Sequence, residues 1–325
     1  MCIREIYSYI GINFLIDYIY KKTFYRYNTM NKIRQYLNQQ QYNEVYNSIM
    51  SKNDRAFTLQ SLYTISEYGN VILIEQLMNT IPLEYINEQK IIAHACKSGS
   101  IELLLYLTEL FPKFTNYHIE SNILIKNACL SGKVAFVSYI LHQDELESFD
   151  IHDDNEQCLK NAVLSGSTEL VKYLLSLDTF DIHVNNDILY KTACYNFNKS
   201  LLEHFIQCYD GSIHSHNELA LHHACLLGNN EFVAWLFTNY EPSTFDISGG
   251  KTEYYENCIV CTAQHGHLST FKIIEQYFDI TDHITNCFDV ACTNRHFNVI
   301  YYILNKYTIK VPLKHKEFIE KLSKK

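Results

Sequence analysis

Glycine and proline are scarce, ten and four among 325 residues. All-β architectures need turn residues about every 8–12 positions, so a mainly helical fold with short connections is expected instead. An excess of positive charge is also missing, because 27 Lys and Arg stand against 36 Asp and Glu for a formal net charge of −9. Without a broad cationic surface to neutralise phosphates, nucleic acid is not an expected partner. Long hydrophobic runs are absent too. The apolar stretch from Ile6 to Tyr20 is broken by Asp17, preceded by Glu5 and lacks a small-residue cleavage site. It is too short for a membrane span and does not read as a secretory signal. Eleven cysteines, an odd number without a dense cluster, read as reduced buried thiols rather than a disulfide framework. The expected setting is the cytoplasm or nucleus, with no secretion and no membrane contact.

What is present is repetition. Apolar residues make up 47% of the chain and charged residues 19%, enough for folding, while the length calls for several domains or a repeat array. Ala95 to Gly99, Ala128 to Gly132, Ala162 to Gly166 and Ala224 to Gly228 hold one five-residue phrase, with Cys96, Cys129, Val163 and Cys225 in second place. Looser copies pair Ile65 with Gly69, Ala193 with Phe197, Thr262 with Gly266 and Ala291 with Arg295. The eight anchors are spaced by 30, 33, 34, 31, 31, 38 and 29 residues.

Three apolar columns keep the same register. Three residues before the anchors stand Leu62, Ile92, Ile125, Leu159, Tyr190, Leu221, Ile259 and Phe288. Nine residues after them stand Ile74, Leu104, Val137, Val171, Leu202, Val233, Phe271 and Ile300. Twelve after come Leu77, Leu107, Ile140, Leu174, Phe205, Leu236, Ile274 and Ile303. One such column has a chance probability of roughly 0.002, and three in one register are far rarer. Their spacings put two short amphipathic helices in each repeat. The Gly between them supplies the left-handed cap that ends the first helix.

A second phrase follows the helices: Phe149-Asp150-Ile151-His152, Phe180-Asp181-Ile182-His183, and the echoes Phe245-Asp246-Ile247 and Phe278-Asp279-Ile280. A short segment carrying Asp suits a turn or hairpin. Helix, Gly turn, helix and Asp-bearing hairpin at a period of about 32 residues resemble the ankyrin-repeat family. Leu221-His222-His223-Ala224 matches its Leu-His-x-Ala, with Leu219 and Ala220 where the family has Thr-Pro, and Gln157-Cys158 and Ile188-Leu189 elsewhere. A tetratricopeptide array has a similar period, but the Phe-Asp-Ile segments argue against it. The richness in Tyr and Asn resembles the ankyrin proteins of giant amoeba-infecting DNA viruses or of AT-rich protists.

The resemblance implies an all-α ankyrin-repeat solenoid of helix–turn–helix pairs joined by short hairpin loops. Residues 57–307 hold about eight repeats. Residues 31–56 read as a helical N-terminal cap or worn repeat, in which Glu44, Val45, Tyr46, Ile49 and Met50 match a second helix while Arg34 spoils the first. Residues 1–30 form an extension of undetermined structure, with Met30 an alternative start, and residues 308–325 a basic C-terminal cap. Ankyrin partners usually lie along the hairpin tips and the exposed side of the first helices, so the expected function is that of a monomeric scaffold binding a protein partner, such as a host protein. The alternatives are an adaptor to ubiquitin ligase machinery, although no motif for one is evident in residues 308–325, and a thiol- or zinc-dependent enzyme.

Chemical motifs are weaker. Cys258-x-x-Cys261, with His265, His267, Cys287 and Cys292, has the residue types of a zinc site. The register instead assigns these cysteines to helix packing, since Cys292 shares the column of Cys96, Cys129, Cys194 and Cys225. Gly249-Gly250-Lys251-Thr252 lacks the Gly that a phosphate-binding loop needs five residues before Gly250, where Phe245 stands. No local signature pairs a nucleophilic Cys with a His base. No enzyme, metal or cofactor is therefore expected. The candidate partner-binding residues are His152, Asp153, Asp154, His183, Asn185 and Asn186 at hairpin tips, as a polar and partly acidic surface suited to a basic partner. Lys251, Tyr254 and Tyr255 join them from the connection lengthened by the 38-residue spacing, because paired Tyr offer large contact area at low entropic cost.

Overall fold

The structure, a computed structural model, describes residues 30–111, 121–142, 149–208, 212–248 and 257–322. They fall into two compact units that meet in sequence between Phe180 and Asp181. The first unit holds helix pairs at 30–38 with Tyr42–Met50, Arg55–Ser66 with Val71–Met78, Glu88–Ser98 with Ile101–Leu110, Ser121–Leu130 with Val134–Leu141, and Asp153–Ser165 with Thr168–Leu177. The second holds Val184–Tyr195 with Lys199–Cys208, Ser215–Leu227 with Asn230–Asn239, Cys258–Gln264 with Leu268–Tyr277, Ile284–Asn294 with Phe297–Lys306, and then Lys316–Leu322. No strand occurs among the described residues. Within each unit first helices pack on first helices and second helices on second helices. Each unit thus has the all-α architecture of an ankyrin-repeat solenoid.

The sequence columns are the core. Every residue of the three apolar columns is buried, and all eight anchors, from Ile65 to Ala291, are fully buried. Each helix pair presents an apolar stripe that it cannot cover alone, and the next pair covers it. Asparagines add polar ties between first helices of the first unit: Asn127 Nδ2 donates to the Ala93 carbonyl at 3.0 Å and Asn161 Nδ2 to the Lys126 carbonyl at 2.7 Å.

The turn between paired helices repeats as faithfully. Gly69, Gly99, Gly132, Gly166, Gly228 and Gly266 all have left-handed φ between 62° and 81°. Phe197 and Arg295, which replace Gly in two repeats, adopt the same conformation at φ 52° and 60°. One residue on, Asn70, Ser100, Ser167, Asn198 and Asn229 cap the second helices by accepting from the backbone N–H three positions ahead, at 2.8–3.2 Å. At two positions where this cap is lost, the side chain reaches back to the previous repeat instead. Lys133 Nζ donates to the Ser98 and Gly99 carbonyls, and His267 Nε2 to that of Leu226.

Arg295 is exposed, so its side chain gives little in return for a strained backbone. Arg295→Gly is expected to raise stability by about 0.5–1 kcal/mol, and a thermal midpoint equal to or below that of the parent would contradict the repeat register at this turn.

One expectation is corrected. Arg34 does not break a first helix: residues 30–38 are helical, Ile33 and Leu37 face the core, and Arg34 lies on the exposed side. Its charge costs nothing in burial there.

Candidate functional site

The hairpins that connect one helix pair to the next begin with an Asp turn. The backbone N–H two residues on donates to the carboxylate in four of them: His152 to Asp150 at 2.9 Å, His183 to Asp181 at 2.9 Å, Ser248 to Asp246 at 2.8 Å and Thr281 to Asp279 at 3.0 Å. This local closure is why Asp recurs in the Phe-Asp-Ile phrase. The flanking Phe180 and Phe245 turn inward and are buried.

Three hairpins then make a turn that sequence patterning did not anticipate. Asp154, Asn155 and Glu156 all have φ of 54–63°, His216, Asn217 and Glu218 have 56–60°, and Asn185 and Asp187 have 51° and 57°. The first two segments are each a single left-handed helical turn and the third has left-handed residues at Asn185 and Asp187; they are closed by a backbone bond from Glu156 N–H to the His152 carbonyl at 3.1 Å, from Glu218 to His214 at 3.3 Å and from Asp187 to His183 at 3.2 Å. Left-handed backbone costs non-glycine residues about 1–2 kcal/mol each, least for Asn and Asp, so something must hold these turns. A side-chain clasp spans the same four residues: His152 Nδ1 to Glu156 at 2.8 Å, His183 Nδ1 to Asp187 at 2.6 Å and His214 Nδ1 to Glu218 at 2.9 Å. The three sites share the pattern His-x-x-Asn-acid at 152–156, 183–187 and 214–218, a signal in the sequence that a search for apolar periodicity passes over.

In the first unit the structure brings Asp153 and Asp154 together at Lys126, while His152 turns to Glu156 and Asp178. The Lys126 Nζ lies 2.6 Å from Asp153 and is also ion-paired with Asp154, while Lys160 donates to the Asp154 carbonyl. Burial works against the Lys126 charge, but the two carboxylates outweigh it and raise its pKa. The hydrogen bond from Lys126 in turn lowers the pKa of Asp153. At this tip two carboxylates thus share one lysine. Burial likewise opposes charge on His152, yet Glu156, and Asp178 at 3.5 Å, hold its pKa above the ordinary histidine value. The Phe180 ring lies against the imidazole, centroids 4.5 Å apart.

In the second unit His183 and Asn185 belong to one turn, and His216 of the next hairpin shares Asp187 with His183, its Nε2 at 2.9 Å. Burial alone would raise the Asp187 pKa, but the two histidines lower it. Glu218 also accepts the Asp246 backbone N–H at 3.2 Å, and His214 meets Thr244 Oγ1 at 3.2 Å. Lys251, Tyr254 and Tyr255, the Gly249–Thr252 segment, and the side chain of Asn186 lie outside the described residues.

Residues that patterning overlooked are the exposed apolar side chains at the last turn of first helices. Leu164 in the first unit is 56% exposed, and Tyr195 and Leu227 in the second 46% and 55%. Leu164 and Tyr195 stand two residues past a fully buried anchor and Leu227 three, and the Tyr195 ring lies edge-on to His223 of the next first helix, centroids 4.8 Å apart.

The buried thiols among the described residues are poorly placed for nucleophilic chemistry. Burial pushes Cys96, Cys194 and Cys287 up to about 12 and Cys292 to about 11, far from thiolate at neutral pH. Cys208 is exposed at the end of its helix, with its sulfur 3.5 Å from His204 Nδ1. Cys258 and Cys261 are buried among helices, and among the described residues no three His, Cys, Asp or Glu converge as a metal site. No described helix is long and apolar enough to cross a membrane.

No family sequence model matches the chain, and no curated protein is similar to it. Among solved structures, the human ASB11 ankyrin repeat domain is similar over 67% of this chain and 98% of that one, at 17% identity and a TM-score of 0.45.

Proposed function

We propose that the chain is a scaffold that binds a protein partner through its hairpin turns and the exposed faces of its first helices. The observation that carries this reading is the division of labour within each repeat. The anchors and columns are buried for stacking, while Leu164, Tyr195 and Leu227 remain about half exposed at the ends of first helices. Single exposed apolar residues are ordinary, but their recurrence at first-helix ends suits a contact surface. The hairpins beside them hold defined backbone turns, and a preorganised surface loses less entropy when a partner docks.

The test is capture by the tagged full chain from its native cell. It is compared with two folded variants, Tyr195→Ala/Leu227→Ala and Lys251→Ala/Tyr254→Ala/Tyr255→Ala. Recovery of one protein in stoichiometric amount by the parent, with loss in either variant, is the expected result and says which surface is used. Recovery of ligase subunits together with that protein would move the reading to an adaptor. If parent and variants alike recover nothing, the scaffold reading fails.

A further inference from the structure

The turns at 152–156, 183–187 and 214–218 are each closed by a backbone hydrogen bond and a histidine–carboxylate clasp. Left-handed backbone in non-glycine residues relaxes readily once its restraints go. The backbone bond is indifferent to pH, whereas the clasp is strongest when the imidazole is cationic and the carboxylate ionised. We infer that these clasps act as proton-controlled latches on the hairpins, the His152–Glu156 clasp tightening as His152 is protonated on mild acidification and the His183–Asp187 clasp opening when strong acid neutralises Asp187.

The groups around each latch fit this role. His152 faces Glu156 on its own turn and Asp178 at the end of the following helix, while the nearby cation, Lys126 on the preceding first helix, is taken by Asp153 and Asp154. His183 faces Asp187, which also meets His216 from the next hairpin. His214 faces Glu218, Thr244 and the Phe245 ring, and Glu218 is approached by the Asp246 N–H and lies near the Tyr190 phenol. Each imidazole therefore meets at least one carboxylate at hydrogen-bond distance.

The direction follows from linkage. A histidine whose folded pKa is raised above its unfolded value of 6.5, as for His152, contributes stability that is complete below about 6.5 and lost as pH rises through the folded pKa. A carboxylate lowered below 3.8, as for Asp187, contributes stability present above about 3.8 and lost as pH falls through its folded pKa. The His152 latch is therefore at full strength below about pH 6.5, and the Asp187 latch above about pH 3.8. His223 and His267 work the other way. Burial lowers both, so acidification weakens the fold at those helix positions. A global melting curve mixes the two effects, and a local readout separates them.

Hydrogen exchange of the full isolated chain supplies that readout, with rates corrected for intrinsic pH dependence and followed in the segments ending at Glu156, Asp187 and Glu218. Protection in the segment ending at Glu156 is expected to rise roughly three- to tenfold from about pH 8 to about pH 6. In Glu156→Gln, which keeps size and a carbonyl acceptor, the 152–156 turn loses this pH dependence. Protection independent of pH in the parent, or an unchanged pH response in Glu156→Gln, overturns the inference. Should the variant fail to fold, the His152 ring is titrated by NMR in the parent. A midpoint above 6.5 supports the latch, and one at or below 6.5 refutes it. No partner enters the measurement, so it can fail while the scaffold reading stands, and the reverse.

Discussion

Replacing Gly228 by alanine is expected to lower the stability of the second unit by about 2–4 kcal/mol. Two effects add. The residue has φ of 70°, which a Cβ disfavours, and that Cβ would stand 2.4–2.8 Å from three atoms of the His267 ring. The ring cannot swing freely, since its Nε2 is bonded to the Leu226 carbonyl at 3.1 Å. Gly132→Ala is the control. Its φ is also 70°, but a Cβ there would approach only the Ser165 hydroxyl, at 3.1 Å, and the Ser165 and Ser167 Cβ atoms at 3.3–3.4 Å. That substitution should cost only about 1 kcal/mol, the backbone contribution alone. Chemical denaturation of both variants measures the difference, and equal losses would mean that contact between successive turns does not matter.

The Gly turn shows what could be read in the sequence and why. A phrase that recurs with the period of the array marks a position where every repeat has the same physical need, so Phe197 and Arg295 could be placed in the turn although neither is Gly. Their left-handed φ shows that the fold imposes the conformation and Gly only relieves it. The apolar columns were legible for the same reason, because burial selects residue class and stacking repeats the selection. The terminal pair at 30–50 was harder, since a first helix with neighbours on one side tolerates Arg34 on the other.

The hairpins were half legible. Asp150, Asp181, Asp246 and Asp279 stood out as turn residues, and the structure gives each a bond from the backbone two residues ahead. The left-handed turns that follow did not, because Asn155, Asn217 and their neighbours are polar residues whose pattern carries no hydrophobic period. His152, Asp153 and Asp154 were singled out for exposure and charge, yet much of that charge goes to Lys126 and Glu156, partners on another helix or four residues away. Pairing is invisible until the chain is folded. The described surface also carries exposed apolar residues at first-helix ends, among them Leu164, Tyr195 and Leu227.

Leu236 and Leu227, nine residues apart in one repeat, give the sharpest test of that assignment. Leu236 is fully buried between second helices, whereas Leu227 is 55% exposed at the end of a first helix. Leu236→Ala should cost about 2–5 kcal/mol through lost burial and the cavity left behind, and Leu174→Ala, equally buried in the first unit, should cost about the same. Leu227→Ala should stay within about 0.5 kcal/mol. Because repeats draw stability from their neighbours, the loss in Leu236→Ala should appear first as faster hydrogen exchange in Ser215–Leu227 and Leu268–Tyr277, the helices stacked around it. A Leu227→Ala variant as unstable as Leu236→Ala would mean that the first-helix surface is consumed by packing and leaves no face for a partner. A stable Leu227→Ala that loses its captured protein would separate folding from binding at one residue.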